Sequence, residues 1–136
     1  MEDLVSIIVP SYNSERFIQD CLNSIKMQTY TAWELLIVDG GSSDKTIAII
    51  NSNAKYDKRI RLIANLNDNG PAQARMLGIS HSNGDLLAFI DTDDLWLPCK
   101  LECQVAFMKQ HNYLFTFTDY KIIDSMFRLQ FLGFGV

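Results

Sequence analysis

The sequence has few cysteines and no cluster of basic residues, and each absence excludes a class of protein. The 136 residues contain three cysteines, Cys21, Cys99 and Cys103, an odd number that does not suggest a disulfide framework. Twelve Lys and Arg against sixteen Asp and Glu give a net charge of −4. Without a basic patch to neutralise a run of phosphates, the chain is not expected to bind nucleic acid.

Long apolar runs are also missing. No stretch approaches the ~20 apolar residues that a helix needs to cross a bilayer, so the sequence predicts no transmembrane segment. The amino terminus, Met1-Glu2-Asp3, is acidic where a secretion signal would be basic. We therefore expect a cytoplasmic protein, with a peripheral position at the inner face of the membrane as the alternative.

Apolar β-branched runs alternate with stretches of helical periodicity along the chain. Strands are predicted at residues 4–9, 33–38, 60–64, 85–90 and 113–118, with helices between them. Ser14 and Asp44 are predicted helix caps, and Pro71 is predicted in the first turn of the third helix. Strands joined by helices form a mostly parallel sheet covered on both faces. The sequence therefore predicts a doubly wound, Rossmann-like α/β fold.

Polar, turn-forming residues follow four of the predicted strands, at residues 10–13, 39–44, 67–70 and 91–94. In doubly wound sheets, ligands bind at the carboxyl ends of the strands. In the last of these loops, Asp91, Asp93 and Asp94 crowd three carboxylates together. A hard cation such as Mn²⁺ or Mg²⁺, completed by phosphate oxygens, would offset their repulsion. The alternative is that the carboxylates are solvated and cap the next helix.

Four segments in this order resemble glycosyltransferase family 2: residues 5–13, 36–46, 70–78 and 84–98, extended by 100–102. The resemblance runs from about Leu4 to about Asp124. It implies the nucleotide-sugar-binding half of a GT-A fold, shortened relative to the family. It also implies metal-dependent transfer of a sugar, with inversion, from a nucleoside-diphosphate sugar to an acceptor hydroxyl. A UDP-sugar is the favoured donor, and a glycan or a lipid-linked molecule is the expected acceptor.

The resemblance assigns roles at the nucleotide end of the predicted site. Pro10, Ser11 and Tyr12 would form the wall around the nucleotide, with Tyr12 near the base. Asp39 would accept a hydrogen bond from the base. The sequence departs from the family at Gly40, where a second Asp is more common, and this weakens any conclusion about base selectivity. Tyr12 as a packing residue is the alternative.

At the phosphate end, the resemblance places Arg75 near the diphosphate, Asp91 at the ribose and Asp93 on the metal. Arg75 as a surface helix residue is the alternative. The family's general base lies well downstream, in the half that also builds the acceptor site, and no residue of this chain is assigned to that role. Asp119 and Asp124 are the remaining candidates, and Asp119 also fits a turn.

The carboxyl-terminal segment differs in character from the rest. We expect a nucleotide-sugar-binding domain at 1–124 and an apolar tail at 125–136, whose sticky surface could drive self-association. A shortened chain, a frameshift near Asp124 and a natural short form all stay open as origins of this ending. An incomplete nucleotide-sugar-binding fragment or a non-enzymatic binding module is therefore the alternative function.

Three other classes of α/β protein have a characteristic loop after the first strand that this sequence lacks. A receiver domain needs an acidic pair after the first strand, and this position holds Pro10-Ser11-Tyr12-Asn13. A dehydrogenase needs a Gly-x-Gly-x-x-Gly loop there, and the loop has no glycine. A nucleotidyltransferase stays open as an alternative, although the basic, glycine-rich first loop usual in that class is missing.

Overall fold

The computed structural model describes residues 2–67, 70–124 and 126 and divides the chain into two compact units, at Glu102 and Cys103. The first unit holds the whole sheet, and the second begins within the last helix. The predicted apolar tail lies outside the described residues apart from residue 126. The domain boundary after residue 124 and self-association through the tail therefore stay predictions.

A parallel four-stranded sheet forms the centre of the first unit, in the order β3-β2-β1-β4. The elements follow the predicted alternation of strand and helix: β1 (Val5–Ser11), α1 (Ile18–Lys26), β2 (Trp33–Asp39), α2 (Thr46–Tyr56), β3 (Ile60–Ala64), α3 (Pro71–Ser80), β4 (Leu86–Phe89) and α4 (Lys100–His111). The predicted parallel α/β fold is confirmed. Within the described residues, no helix is long and apolar enough to span a membrane.

The helices of the first unit cover both faces of the sheet. The chain moves from β1 to β2 to β3 in one direction and then crosses back to β4. Because such crossovers are right-handed, α1 and α2 lie on one face and α3 lies on the other. The first pair is joined by a hydrogen bond from Lys26 Nζ to Asn53 Oδ1 of 2.8 Å. The sheet is therefore doubly wound, as predicted.

Close packing of α3 against the sheet depends on Gly78. A Cβ atom at this position would stand 2.5 Å from Ile8 Cγ2 and 3.3 Å from Val38 Cγ2. The missing side chain lets the helix backbone approach β1 and β2, whose apolar residues form the core and are almost fully buried. This approach fixes the height of α3 over the sheet. It also sets the position of Arg75, which is three residues earlier in the same helix.

The predicted fifth strand at residues 113–118 is wrong. This part of the second unit has no strand, and the side chains of Leu114, Phe115 and Phe117 are 96%, 78% and 83% exposed. Its β-branched and aromatic composition favours a strand, but a strand is stable only when a neighbour takes up its backbone hydrogen bonds. No strand of the described residues pairs with it.

Candidate functional site

The carboxyl edge of the sheet carries a cleft of about 430 Å³ in the first unit. This volume falls within the range typical of small-molecule sites. The lining comes from the end of β1, the start of α3 and the loop after β4. It includes all but one of the predicted site residues, namely Pro10, Ser11, Tyr12, Arg75, Asp91 and Asp93. The exception is Asp39, which is buried and directly precedes the lining residue Gly40.

The wall formed by the end of β1 presents one aromatic surface and one unused hydroxyl. The side chain of Tyr12 is 58% exposed, so its ring is available to a flat ligand. Ser11 is buried, and its Oγ has no hydrogen-bond partner within the described part of the chain. A buried hydroxyl without a partner costs free energy, which a polar ligand group in the cleft could recover.

Two loops beside the cleft are joined by reciprocal hydrogen bonds. The Asn13 N–H donates to Ser42 Oγ (2.8 Å), and the Ser43 N–H donates to Asn13 Oδ1 (2.9 Å). Asn13 adopts a left-handed conformation (φ 44°), which asparagine tolerates better than most residues. The loop after β1 and the loop after β2 are thus held together before any ligand arrives.

Asp39 is 2% exposed and holds its own loop. Its Oδ1 accepts hydrogen bonds from the backbone N–H groups of Gly41 (3.0 Å) and Ser42 (2.7 Å), and its Oδ2 accepts one from Ser42 Oγ (2.7 Å). Gly41 has a φ of 86°, a conformation that glycine adopts without strain. The carboxylate therefore shapes the turn after β2. Its contact with a base stays a prediction.

An ion pair crosses the cleft between α3 and the loop after β4. Arg75 Nη2 lies 2.6 Å from Asp91 Oδ1, and the two side chains are 34% and 52% exposed. Helix α3 begins at Pro71, after Gly70 with a φ of 95°, which turns the chain into the helix. The structure thus places Arg75 on the carboxylate predicted to face the ribose. This pair neutralises Asp91.

Two further carboxylates of the same loop, Asp93 and Asp94, make no ion pair among the described residues. Burial raises the pKa of Asp94, and the negative charges of Asp93 and Asp91 raise it further. The pKa of the neighbouring Cys21 thiol is raised to about 12, first by burial and then by the charges of Asp94, Asp93 and Asp91. Negative charge is therefore concentrated where Asp93 lines the cleft.

The donor chemistry of this loop fits a hard divalent cation bound together with phosphate. Among the described residues, no group of three or more His, Cys, Asp and Glu side chains is arranged to hold a metal ion unaided. Mg²⁺ in nucleotide sites is commonly held by one or two carboxylates and by substrate phosphates, so a preformed cage is not required. Asp93, carboxylate-bearing and facing the cleft, meets this requirement.

Comparison with known proteins identifies the family. The family model of Glycosyl transferase family 2 matches residues 6–132. The chain belongs to this family.

The family 2 chain is similar to proteins that use nucleotide sugars. It is 41% identical over 126 residues to the Escherichia coli UDP-Glc:alpha-D-GlcNAc-diphosphoundecaprenol beta-1,3-glucosyltransferase WfgD. The matched region covers 92% of this chain and 49% of WfgD. The chain therefore spans about half the length of this relative.

Solved structures confirm the GT-A fold. Structures of S. aureus TarS 1-349 with UDP and with UDP-GlcNAc share 33% identity and a TM-score of 0.69, over 79% of this chain and 32% of theirs. The mannosyltransferase PcManGT from Pyrobaculum calidifontis, in complex with GDP-Man and Mn²⁺, shares 29% identity and a TM-score of 0.63, over 68% of this chain and 28% of its own.

The sequence analysis of this family 2 chain gave no binding role to several residues that line the cleft, among them Ser14 and Thr92. Ser14 was expected to cap α1, but this helix begins at Ile18 and has no side-chain cap. The Ser14 hydroxyl instead donates to the carbonyl oxygen of Tyr12 (3.1 Å) and accepts a hydrogen bond from Thr92 Oγ1 (2.9 Å). In the sequence, the position of Thr92 between two aspartates was the only local sign of a role in the site. Its hydrogen-bond partner Ser14 is 78 residues away, so the pairing is not visible in a local pattern.

Replacing Asp39 separates its effect on the loop from its predicted contact with the base. Asp39→Ala is expected to lower the free energy of unfolding by about 2–3 kcal/mol, because the N–H groups of Gly41 and Ser42 and the Ser42 hydroxyl lose a charged acceptor. Asp39→Asn keeps an oxygen that can accept the two backbone hydrogen bonds, so its loss should be smaller. Urea unfolding monitored by circular dichroism measures both values.

The same pair of variants tests base recognition. If Asp39 accepts a hydrogen bond from the base, Asp39→Asn keeps its fold but binds UDP and GDP with more similar affinities than the wild type. An unchanged ratio of the two affinities in the folded Asn variant would show that Asp39 acts on the loop alone.

Proposed function

We propose that this chain binds a nucleoside-diphosphate sugar together with Mn²⁺ or Mg²⁺ in the cleft, as the donor-binding half of an inverting glycosyltransferase. The observation that carries the proposal is the composition of the cleft. One edge of the sheet collects an exposed aromatic ring, a guanidinium group and carboxylates in a pocket of nucleotide size. The TarS complexes with UDP and UDP-GlcNAc support a UDP-sugar as the donor.

The nucleoside would lie against the wall formed by Pro10, Ser11 and Tyr12. The Tyr12 ring offers a flat face to the base, and the unpartnered Ser11 Oγ offers a hydrogen bond to a polar group of the ligand. Asp39 holds the turn after β2 and is the proposed acceptor for a base N–H.

The diphosphate would lie between Arg75 and Asp93. Asp93 is the proposed protein ligand of the cation, and Arg75 supplies positive charge on the other side of the cleft. When bound, the cation stabilises the negative charge that develops on the leaving diphosphate as the anomeric bond breaks. Asp91 is the proposed ribose contact. To bind the ribose, Asp91 must either contact it while keeping the 2.6 Å ion pair with Arg75 or give up that ion pair when the nucleotide binds.

The acceptor is a hydroxyl on a glycan or a lipid-linked molecule. The name of the E. coli relative specifies a diphosphoundecaprenol-linked acceptor, which supports the lipid-linked class and a setting in polysaccharide synthesis. A peripheral position at the inner face of the membrane would suit such an acceptor. In the alternative function, the chain binds the nucleotide sugar without transferring it.

Isothermal titration calorimetry tests the proposal with UDP, GDP and ADP, each with and without Mn²⁺. We expect UDP to bind most tightly and Mn²⁺ to increase its affinity by on the order of 100-fold, since metal and diphosphate complete each other's coordination. Mg²⁺ in place of Mn²⁺ identifies the preferred ion. Failure of UDP to bind at millimolar concentration in either condition would contradict the proposed function.

A further inference from the structure

A chain of hydrogen bonds joins the two ends of the cleft. Thr92 lies in the loop after β4 that carries Asp91, Asp93 and Asp94, called the carboxylate loop below. Its Oγ1 donates to Ser14 Oγ at 2.9 Å. Ser14 Oγ in turn donates to the carbonyl oxygen of Tyr12 at 3.1 Å. Thr92 lies between Asp91 and Asp93, and the Tyr12 backbone carries the exposed ring. Two hydroxyl groups thus link the aromatic surface to the carboxylate surface.

Within this series of hydrogen bonds, Ser14 is the residue held most firmly by the rest of the fold. It is 7% exposed, and its N–H donates to Thr46 Oγ1 at 2.7 Å. Thr46 is fully buried and begins α2. The carbonyl oxygen of Ser14 accepts hydrogen bonds from the N–H groups of Phe17 and Ile18, where α1 starts. Ser14 is therefore anchored to the starts of two helices and cannot move without disturbing both.

Among the described residues, the other polar contacts of the Asp91–Asp94 turn lie within the turn itself or reach α1 and α3. The Asp94 N–H donates to the carbonyl oxygen of Asp91 at 3.1 Å, which closes a turn within the loop. The Cys21 thiol lies 3.7 Å from the same carbonyl oxygen, a weak contact. Among the residues that the structure describes, the bond from Thr92 to Ser14 is thus the direct polar link between the Asp91–Asp93 turn and the Tyr12 segment.

We propose that Ser14 and Thr92 are positioning residues that hold Tyr12 and Asp93 at the separation that a nucleoside diphosphate and its cation span. The ligand identity in this inference rests on the proposed function. A ligand that touches both ends gains affinity when their separation is already fixed, because ordering them on binding would cost entropy. A ligand that touches only one end gains nothing from the link.

The binding test compares a spanning ligand with ligands for one end. For Thr92→Val and for Ser14→Ala we expect the affinity for UDP with Mn²⁺ to fall about fivefold, the effect of one ordinary hydrogen bond. Affinities for uridine alone and for Mn²⁺ alone should change by less than about twofold, since neither spans the cleft. Thr92→Ser keeps the hydroxyl and should retain the affinity of the wild type.

A matched control is Thr29→Val. The Thr29 hydroxyl also makes hydrogen bonds, to the carbonyl oxygen of Pro98 and to Glu102, but it belongs to no part of the link. This variant should bind all three ligands as the wild type does. Equal losses for UDP, uridine and Mn²⁺ in Thr92→Val would mean general loosening of the fold and would overturn the inference.

Hydrogen exchange of the ligand-free protein supplies a test that does not depend on the proposed function. In Ser14→Ala, the amide of Asp94, whose N–H donates to the carbonyl oxygen of Asp91, should exchange about fivefold faster, because the loop loses its anchor. Thr29→Val should leave its exchange unchanged. Unchanged exchange in Ser14→Ala would overturn the link itself. If the wild type binds no nucleotide, the proposed function fails, and a faster exchange still establishes the link between the loops.

Discussion

Replacing Asp93 with alanine is expected to remove the Mn²⁺-dependent part of UDP binding. Asp93 lines the cleft and makes no ion pair among the described residues. It is the cleft-lining carboxylate left to a cation once Arg75 has neutralised Asp91. Substitutions of groups that only orient a metal ligand already cost about 10–100-fold in metal affinity or activity, so loss of the ligand should cost on the order of 100-fold in UDP affinity with Mn²⁺ present.

Calorimetry on folded protein measures this loss. Asp93→Asn removes the negative charge but keeps the size of the side chain, so it shows how much of the loss is due to charge. Asp20→Ala is the matched control, because it removes an exposed carboxylate from the first turn of α1, away from the cleft lining. UDP affinity without metal should be similar in all of these variants. Equal UDP affinity of the wild type and Asp93→Ala with Mn²⁺ present would remove Asp93 from the site.

The sequence predicts the first unit well because its patterns are local. The β-branched runs of β1 and β2 and the helical repeats between them specify buried strands and crossovers without knowledge of distant contacts. Since parallel strands bring their carboxyl ends to one edge, the polar loops that follow them had to meet there. Most of the predicted cleft residues follow from this single geometric rule.

The unpredicted features depend on contacts that only the folded chain creates. The Arg75–Asp91 ion pair joins α3 to the loop after β4, and no local pattern indicates that these side chains meet. Asp39 was predicted to face a ligand, but the backbone of Gly41 and Ser42 turns back onto its carboxylate. The segment 113–118 has strand composition but no neighbouring strand among the described residues, and composition alone cannot supply one.

We expect the 136-residue chain to bind the donor without transferring sugar to an acceptor. Within the described part of the cleft, the lining carboxylates are Asp91 and Asp93. The first pairs with Arg75 and the second is the proposed metal ligand, so neither is left to take a proton from an acceptor hydroxyl. Lack of general base assistance costs about 10²–10⁴-fold in the rate of transfer.

Release of UDP from UDP-sugars, measured with and without a panel of glycan and lipid-linked acceptors, tests this expectation. Slow hydrolysis of the donor can persist, because water needs no acceptor site. Asp119 and Asp124 are the carboxylates to replace with asparagine if acceptors accelerate release. In the structure, Asp119 Oδ1 accepts a hydrogen bond from the Tyr120 N–H and Asp124 Oδ1 accepts one from the Met126 N–H, so both make local hydrogen bonds in the second unit. Strong acceptor-dependent release that disappears in one of these variants would show that the chain carries its own base, and the donor-binding assignment would then become that of a complete enzyme.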